Sequence, residues 1–181
     1  MVTLACRLLL FVVFATSAAS KLRGGGALER FGTSIAVMGG LPAKASSAAA
    51  MLISALEATV LVLLVVPVAS AWRAGFILSV ALLLLFEWAI ARTIFRKVSV
   101  ACRCFGSDSK LVGPQDLVRN LPLLLVAAVG AITSSTSLVA SWPSVLMTAA
   151  CAAGAALLLV NFDNTLWIMS PSPYTDSMFH R

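Results

Sequence analysis

The sequence predicts an all-α integral membrane protein, and three observations predict it. Of 181 residues, 60% are hydrophobic and 11% are charged, against roughly 45–50% and about 25% in soluble domains. The mean hydropathy is +1.00. The apolar residues gather into stretches of the length that crosses a bilayer, about 20 residues each. In hydrocarbon the main chain must satisfy its own hydrogen bonds, so each such stretch is read as a helix. The expected place is the cell membrane, crossed several times, with the lipid bilayer as first partner.

The formal charge is +6, from 13 Lys and Arg against 7 Asp and Glu. The cations stand at the edges of apolar segments, where they meet lipid head groups. They form no basic face with aromatics, so nucleic acid is not an expected partner. The single histidine, His180, is next to the C-terminus. A histidine triad or a zinc site has little to build on, and no metal is expected.

The first apolar segment, residues 2–20, ends in Ala15-Thr16-Ser17-Ala18-Ala19-Ser20. A basic start, a short apolar core and a small-residue exit also describe a secretory signal peptide. Pattern alone leaves both readings open. Residues 21–47 form a polar connection broken by Gly24-Gly25-Gly26, Gly39-Gly40 and Pro42. Between the breaks, residues 27–38 are expected as a short helix at the interface.

The second helix is expected over residues 48–71, with Glu57 as its charge and a kink at Pro67. Trp72 and Arg73 then mark an interface. The third is expected over 74–95, antiparallel to the second, carrying Glu87 and Arg92. Residues 96–119 are the most polar stretch, containing Cys102-Arg103-Cys104-Phe105-Gly106. The fourth helix is expected over 120–138, with Asn120 as its cap and Pro122 in its first turn. An additional transmembrane helix is expected over 144–160, and a flexible tail over 161–181.

The hairpin topology puts the connection after helix one and the cysteine loop on one side. Charge counting makes that side cytoplasmic; disulfide chemistry favours the outside. The two arguments oppose each other.

The chain has four cysteines. Cys6 and Cys151 fall in apolar segments and are read as small buried hydrophobes. Cys102 and Cys104 lie in a polar loop among Arg96, Lys97, Arg103 and Lys110. Cations favour the thiolate, the attacking species in disulfide exchange. A disulfide closed over one intervening residue is strained and labile, which suits a redox pair. Inert thiols and a half-ligated metal are the alternatives. Glu57 and Glu87 are ionisable groups at membrane depth, where such groups are often functional. Glu57 has Lys21 as a candidate counter-charge. Arg119 directly follows the cysteine loop and is either a thiolate partner or a plain interfacial cation.

The order Ser20-Lys21-Leu22-Arg23, Phe31, Pro42, Glu57, Cys102-Arg103-Cys104-Phe105-Gly106 and Arg119-Asn120 resembles the methylamine utilisation protein MauE family, within the wider group of DoxX-like membrane proteins. The resemblance covers residues 2–133. It implies a four-helix transmembrane bundle with segment one retained and the helix at 144–160 appended. Lys97, where a glycine is expected, and Glu87, at a usually uncharged place, depart from the pattern.

The resemblance also implies a role in maturation of a secreted, disulfide-rich protein, such as an amine (methylamine) dehydrogenase subunit. Cys102 and Cys104 would be the redox pair, with Arg103, Arg119 and Glu57 in support. A thioredoxin-like protein is the other partner such chemistry suggests. A quinone suits a membrane dithiol as acceptor, but no residue specifies one and no cofactor is identified. The alternatives are a non-enzymatic membrane scaffold and a small-molecule carrier using Glu57 and Glu87.

Overall fold

The computed structural model describes residues 2–22, 25–97, 112–134, 150–152 and 154–155. They form α1 (Val2–Leu22), α2 (Ala27–Gly39), α3 (Ala43–Val65), α4 (Ala69–Phe95) and α5 (Pro114–Thr133). Four of these, α1, α3, α4 and α5, are long and apolar enough to cross a membrane. They run up, down, up and down, and each packs against the next around a ring that α1 and α5 close. The protein is a multi-pass all-α membrane protein. The cysteine loop with Cys102, Arg103 and Cys104 lies outside the described residues, as does the tail. Of the expected helix at 144–160, residues 150–152 and 154–155 are described and helical.

α2 is the short helix that the glycine punctuation predicts. Gly26 opens it at φ 81 and Gly40 closes it at φ 66. Both are left-handed positions that favour glycine. The Gly40 and Leu41 N–H groups both donate to the Ala36 carbonyl, the latter at 3.0 Å. α2 then packs on the first half of α3, with Gly32 against Ser46, Ser47 and Ala50.

Pro67 does not kink a longer helix, as the sequence suggests; α3 stops at Val65 and α4 starts at Ala69. Proline pushes the residue before it out of the helical region, and Val66 is extended at ψ 128. Two side chains satisfy the carbonyls freed there. Arg7 Nε and Nη2 both donate to the Leu64 carbonyl, at 3.0 and 2.6 Å, and Trp72 Nε1 donates to the Val66 carbonyl. The Arg7 guanidinium also stacks 4.0 Å from the centroid of the Trp72 ring. Such replacement partners are required at a helix end in lipid. At the same end Thr3 Oγ1 donates to the Thr133 carbonyl at 3.0 Å, tying the start of α1 to the finish of α5.

The fourth membrane helix also starts earlier than expected. Gly113 is its N-cap and Pro114 its first residue. Pro tolerates that place because its missing N–H has no partner to lose. Asp116 Oδ2 accepts the Gly113 N–H at 3.0 Å. Asn120 is therefore not the cap, and Pro122 lies in the helix interior, not in its first turn. Sequence reading missed the start because the first turn of α5 is polar.

The core joins Leu10, Val13 and Phe14 of α1 to Val60 and Leu64 of α3, Phe76, Leu82 and Leu83 of α4, and Leu123 and Ala127 of α5. Small residues let helices approach. A Cβ on Gly130 would overlap the Phe76 ring. Outward positions such as Leu52, Val62, Leu84 and Ile132 are exposed and apolar, as lipid demands. The same reasoning corrects Cys151. It is exposed, whereas Cys6 is buried: an apolar segment in a membrane protein need not face the interior.

Candidate functional site: a buried ion pair

The buried stripe of α1 runs Leu10, Val13, Phe14, Ser17 and Lys21. That spacing follows one helical face. The stripe of α3 runs Ser46, Ala50, Glu57, Val60 and Leu64. Where the two faces meet, Lys21 Nζ donates to Glu57 Oε1. Their side chains are 2% and 0% exposed. Ser17 Oγ donates to the same Glu57 oxygen at 3.2 Å, and Lys21 Nζ lies 3.2 Å from Ser17 Oγ.

Two rings complete the enclosure. Lys21 Nζ stands 4.5 Å from the centroid of Phe31, on α2, and 5.7 Å from that of Phe86, on α4. An ammonium over an aromatic face is attracted by the ring quadrupole, more so when water is excluded. A lysine at a membrane helix exit ordinarily snorkels to the interface. Here it turns inward because Glu57 and Ser17 face it and α2 supplies Phe31.

Lys21 is thus the counter-charge of Glu57, the pairing the sequence offered as a candidate. Sequence reading missed the parts played by Ser17, Phe31 and Phe86. The available signal was the Ser17–Lys21 spacing of four, hidden in what also looked like a signal-peptide exit.

Glu87 is half-buried on α4 and makes no bond to Glu57. Its neighbour Trp88 faces outward, with the Arg92 guanidinium 5.2 Å from its ring centroid. Arg119 and Asn120 are buried on α5, at 7% and 3% exposure. Arg119 Nη2 pairs with Asp116 Oδ1 at 3.4 Å, one turn back. Whether the cysteines approach this arginine falls outside the described residues.

The ends of the cysteine segment are described. The chain leaves α4 after Phe95, is described as far as Lys97, and is described again from Val112 ahead of α5. Lys21, α2, the finish of α4 and the start of α5 share one end of the bundle. Arg7, the α3–α4 turn and Thr133 share the other. The connection after α1 and the cysteine segment therefore attach at the same end, as the hairpin topology predicts.

Comparison with curated proteins and with solved structures returns no match. The family model described as methylamine utilisation protein MauE matches residues 1–133. That span takes in α1 to α5, the Lys21–Glu57 pair and the Cys102–Cys104 segment, and the chain belongs to the MauE family.

Proposed function

We propose that this MauE-family protein is a membrane thiol–disulfide factor. It supports disulfide formation in a secreted protein such as an amine dehydrogenase subunit. The observation that carries the proposal is the family match across Cys102-Arg103-Cys104 and Arg119. The attachment of both flanks of that segment, Lys97 and Val112, at the end of the bundle that carries the Lys21–Glu57 pair supports it.

In the reaction, a substrate thiolate attacks the Cys102–Cys104 disulfide. The S–S bond breaks and a mixed disulfide forms. A second substrate thiolate displaces the factor's sulfur. The substrate dithiol is oxidised by two electrons, and the Cys102–Cys104 pair leaves as a dithiol. A lipid-soluble two-electron acceptor of the quinone class would then take two electrons and two protons from the pair. Arg103 and Arg119 would favour the thiolate over the neutral thiol, and Glu57 would relay one of those two protons.

The test is acid quench and alkylation of the full chain, read by mass spectrometry and non-reducing gels. Cys102 and Cys104 should exchange between oxidised and reduced forms, and Cys104→Ser should trap a partner as a mixed disulfide on Cys102. Both thiols staying reduced under oxidising conditions, with full function in Cys102→Ser/Cys104→Ser, would overturn the proposal in favour of a scaffold.

A further inference from the structure

The ion pair belongs to a wider buried polar layer. Glu57 Oε2, Ser54 Oγ, Asn120 Oδ1 and Glu87 Oε1 are each shielded from solvent and have no hydrogen-bond partner among the described residues. Glu57 is 0% exposed and Asn120 3%. Buried polar groups in native proteins are nearly always satisfied, by protein or by ordered water.

These atoms come from three helices, and packing contacts fix their levels. Gly75 of α4 lies against Leu64 of α3, and Phe76 of α4 against Gly130 of α5. Ser17 of α1 bonds Glu57 of α3. Neighbouring helices in the ring are antiparallel and rise equally per residue. Counting along them puts Ser54 level with Leu85, Asn120 level with Phe86, and Lys21 level with Ile53. Ser54, Glu87, Asn120 and the Lys21 backbone thus share one layer, and Glu57 lies about one turn deeper. Four of its oxygens have no partner among the described residues. An acceptor without a donor in hydrocarbon costs several kcal/mol, roughly the penalty of any unsatisfied polar group there.

We propose that this layer is a hydrated proton-exchange site, in which water held by Ser54, Glu87 and Asn120 connects Glu57 Oε2 to the Lys21 end of the bundle. Water supplies the donors that the four oxygens lack. Oε1 is held by Lys21 and Ser17, so a proton arriving through that water binds Oε2. The site then passes from a neutral ion pair to a single positive charge, Lys21 remaining an ammonium. The charged groups at this level are Lys21 from α1, Glu87 from α4, and Arg119 with Asp116 from α5; α2 presents the Phe31 ring. The site stands on the bundle alone, whether or not the cysteine loop exchanges disulfides.

The test is infrared difference spectroscopy on the full chain in lipid nanodiscs, stepped in pH and transferred to heavy water. A protonated-carboxyl band should grow as pH falls and vanish in Glu57→Gln. Its deuterium shift should be complete while core amides remain protonated. Asn120→Leu, which dries the layer, should slow that shift at least about tenfold. Ser54→Ala, milder for folding, should slow it about twofold to threefold. Retained exchange in Cys102→Ser/Cys104→Ser would separate this site from the dithiol reaction. No Glu57 band in the folded protein would overturn the proposal. So would exchange no faster than the slowest amides, or exchange unchanged in both layer variants.

Discussion

Replacing Lys21 by methionine keeps most of the side-chain volume and removes the charge, which isolates the worth of the buried ion pair. Glu57 stays at 0% exposure beside Ser17. Removing one partner of a buried pair costs about 3–5 kcal/mol, because the remaining charge has lost its compensation. The packing change from lysine stem to methionine adds little by comparison. The variant should therefore lose about 3–5 kcal/mol, a large share of the roughly 5–15 kcal/mol that holds a domain folded.

Adding Glu57→Leu removes the stranded charge and should bring stability back to within about 1 kcal/mol of wild type, since apolar replacement of a whole buried pair is often neutral. The assay is reversible unfolding in mixed micelles, read by circular dichroism. A single variant within about 1 kcal/mol of wild type, or strictly additive single and double variants, would refute the reasoning.

Glu57→Gln should impair disulfide formation in a co-expressed secreted reporter more than Glu87→Gln does, because Glu57 is fully enclosed and salt-bridged while Glu87 is half-buried; equal activities would count against it. Gly130→Ala should cost about 1–3 kcal/mol through overpacking, because the added Cβ overlaps the buried Phe76 ring. Trimming that ring with Phe76→Leu should recover part of the loss, as unfolding midpoints will show. In a background with all four cysteines replaced, Thr33→Cys and Lys97→Cys should react with an impermeant maleimide from the same side of the membrane. Ser70→Cys, at the α3–α4 turn, should react from the other side. Labelling of Thr33→Cys and Lys97→Cys from opposite faces would break the hairpin topology.

The membrane helices were legible because each is a long apolar run, and the glycines around α2 mark its two ends. Helix limits were less so. Pro67 sits in a run that stays apolar on both sides, so composition continues where backbone geometry stops. The polar turn at Gly113-Pro114-Gln115-Asp116 hides the start of α5 for the converse reason. Glu57 was found because a carboxylate at membrane depth is conspicuous. Ser17 was not, since a small hydroxyl residue in an alanine-rich stretch carries no signal until a partner helix faces it. Phe31 stood in the family pattern without a role, and Phe86 read as core in an apolar run; only the packing of α2 and α4 around the end of α1 turns both rings toward one ammonium.

That convergence bears on why a charged pair stands there. Two apolar residues of like volume would give the bundle about the same stability, because desolvating two ions offsets most of their attraction. Stability therefore does not explain the pair, and its geometry is unlike that of a packing device. One carboxylate oxygen is fully engaged by Lys21 and Ser17, while the other is enclosed without a donor among the described residues. The Lys21→Met/Glu57→Leu double variant divides the two explanations. If the pair only holds helices in register, this variant should fold with native stability and support the secreted reporter at wild-type level. If Glu57 exchanges protons and the disulfide reaction draws on that exchange, it should fold equally well, lose the titrating carboxyl band and fail in the reporter assay. A stable double variant with undiminished activity would remove Glu57 from the chemistry and leave it a structural residue.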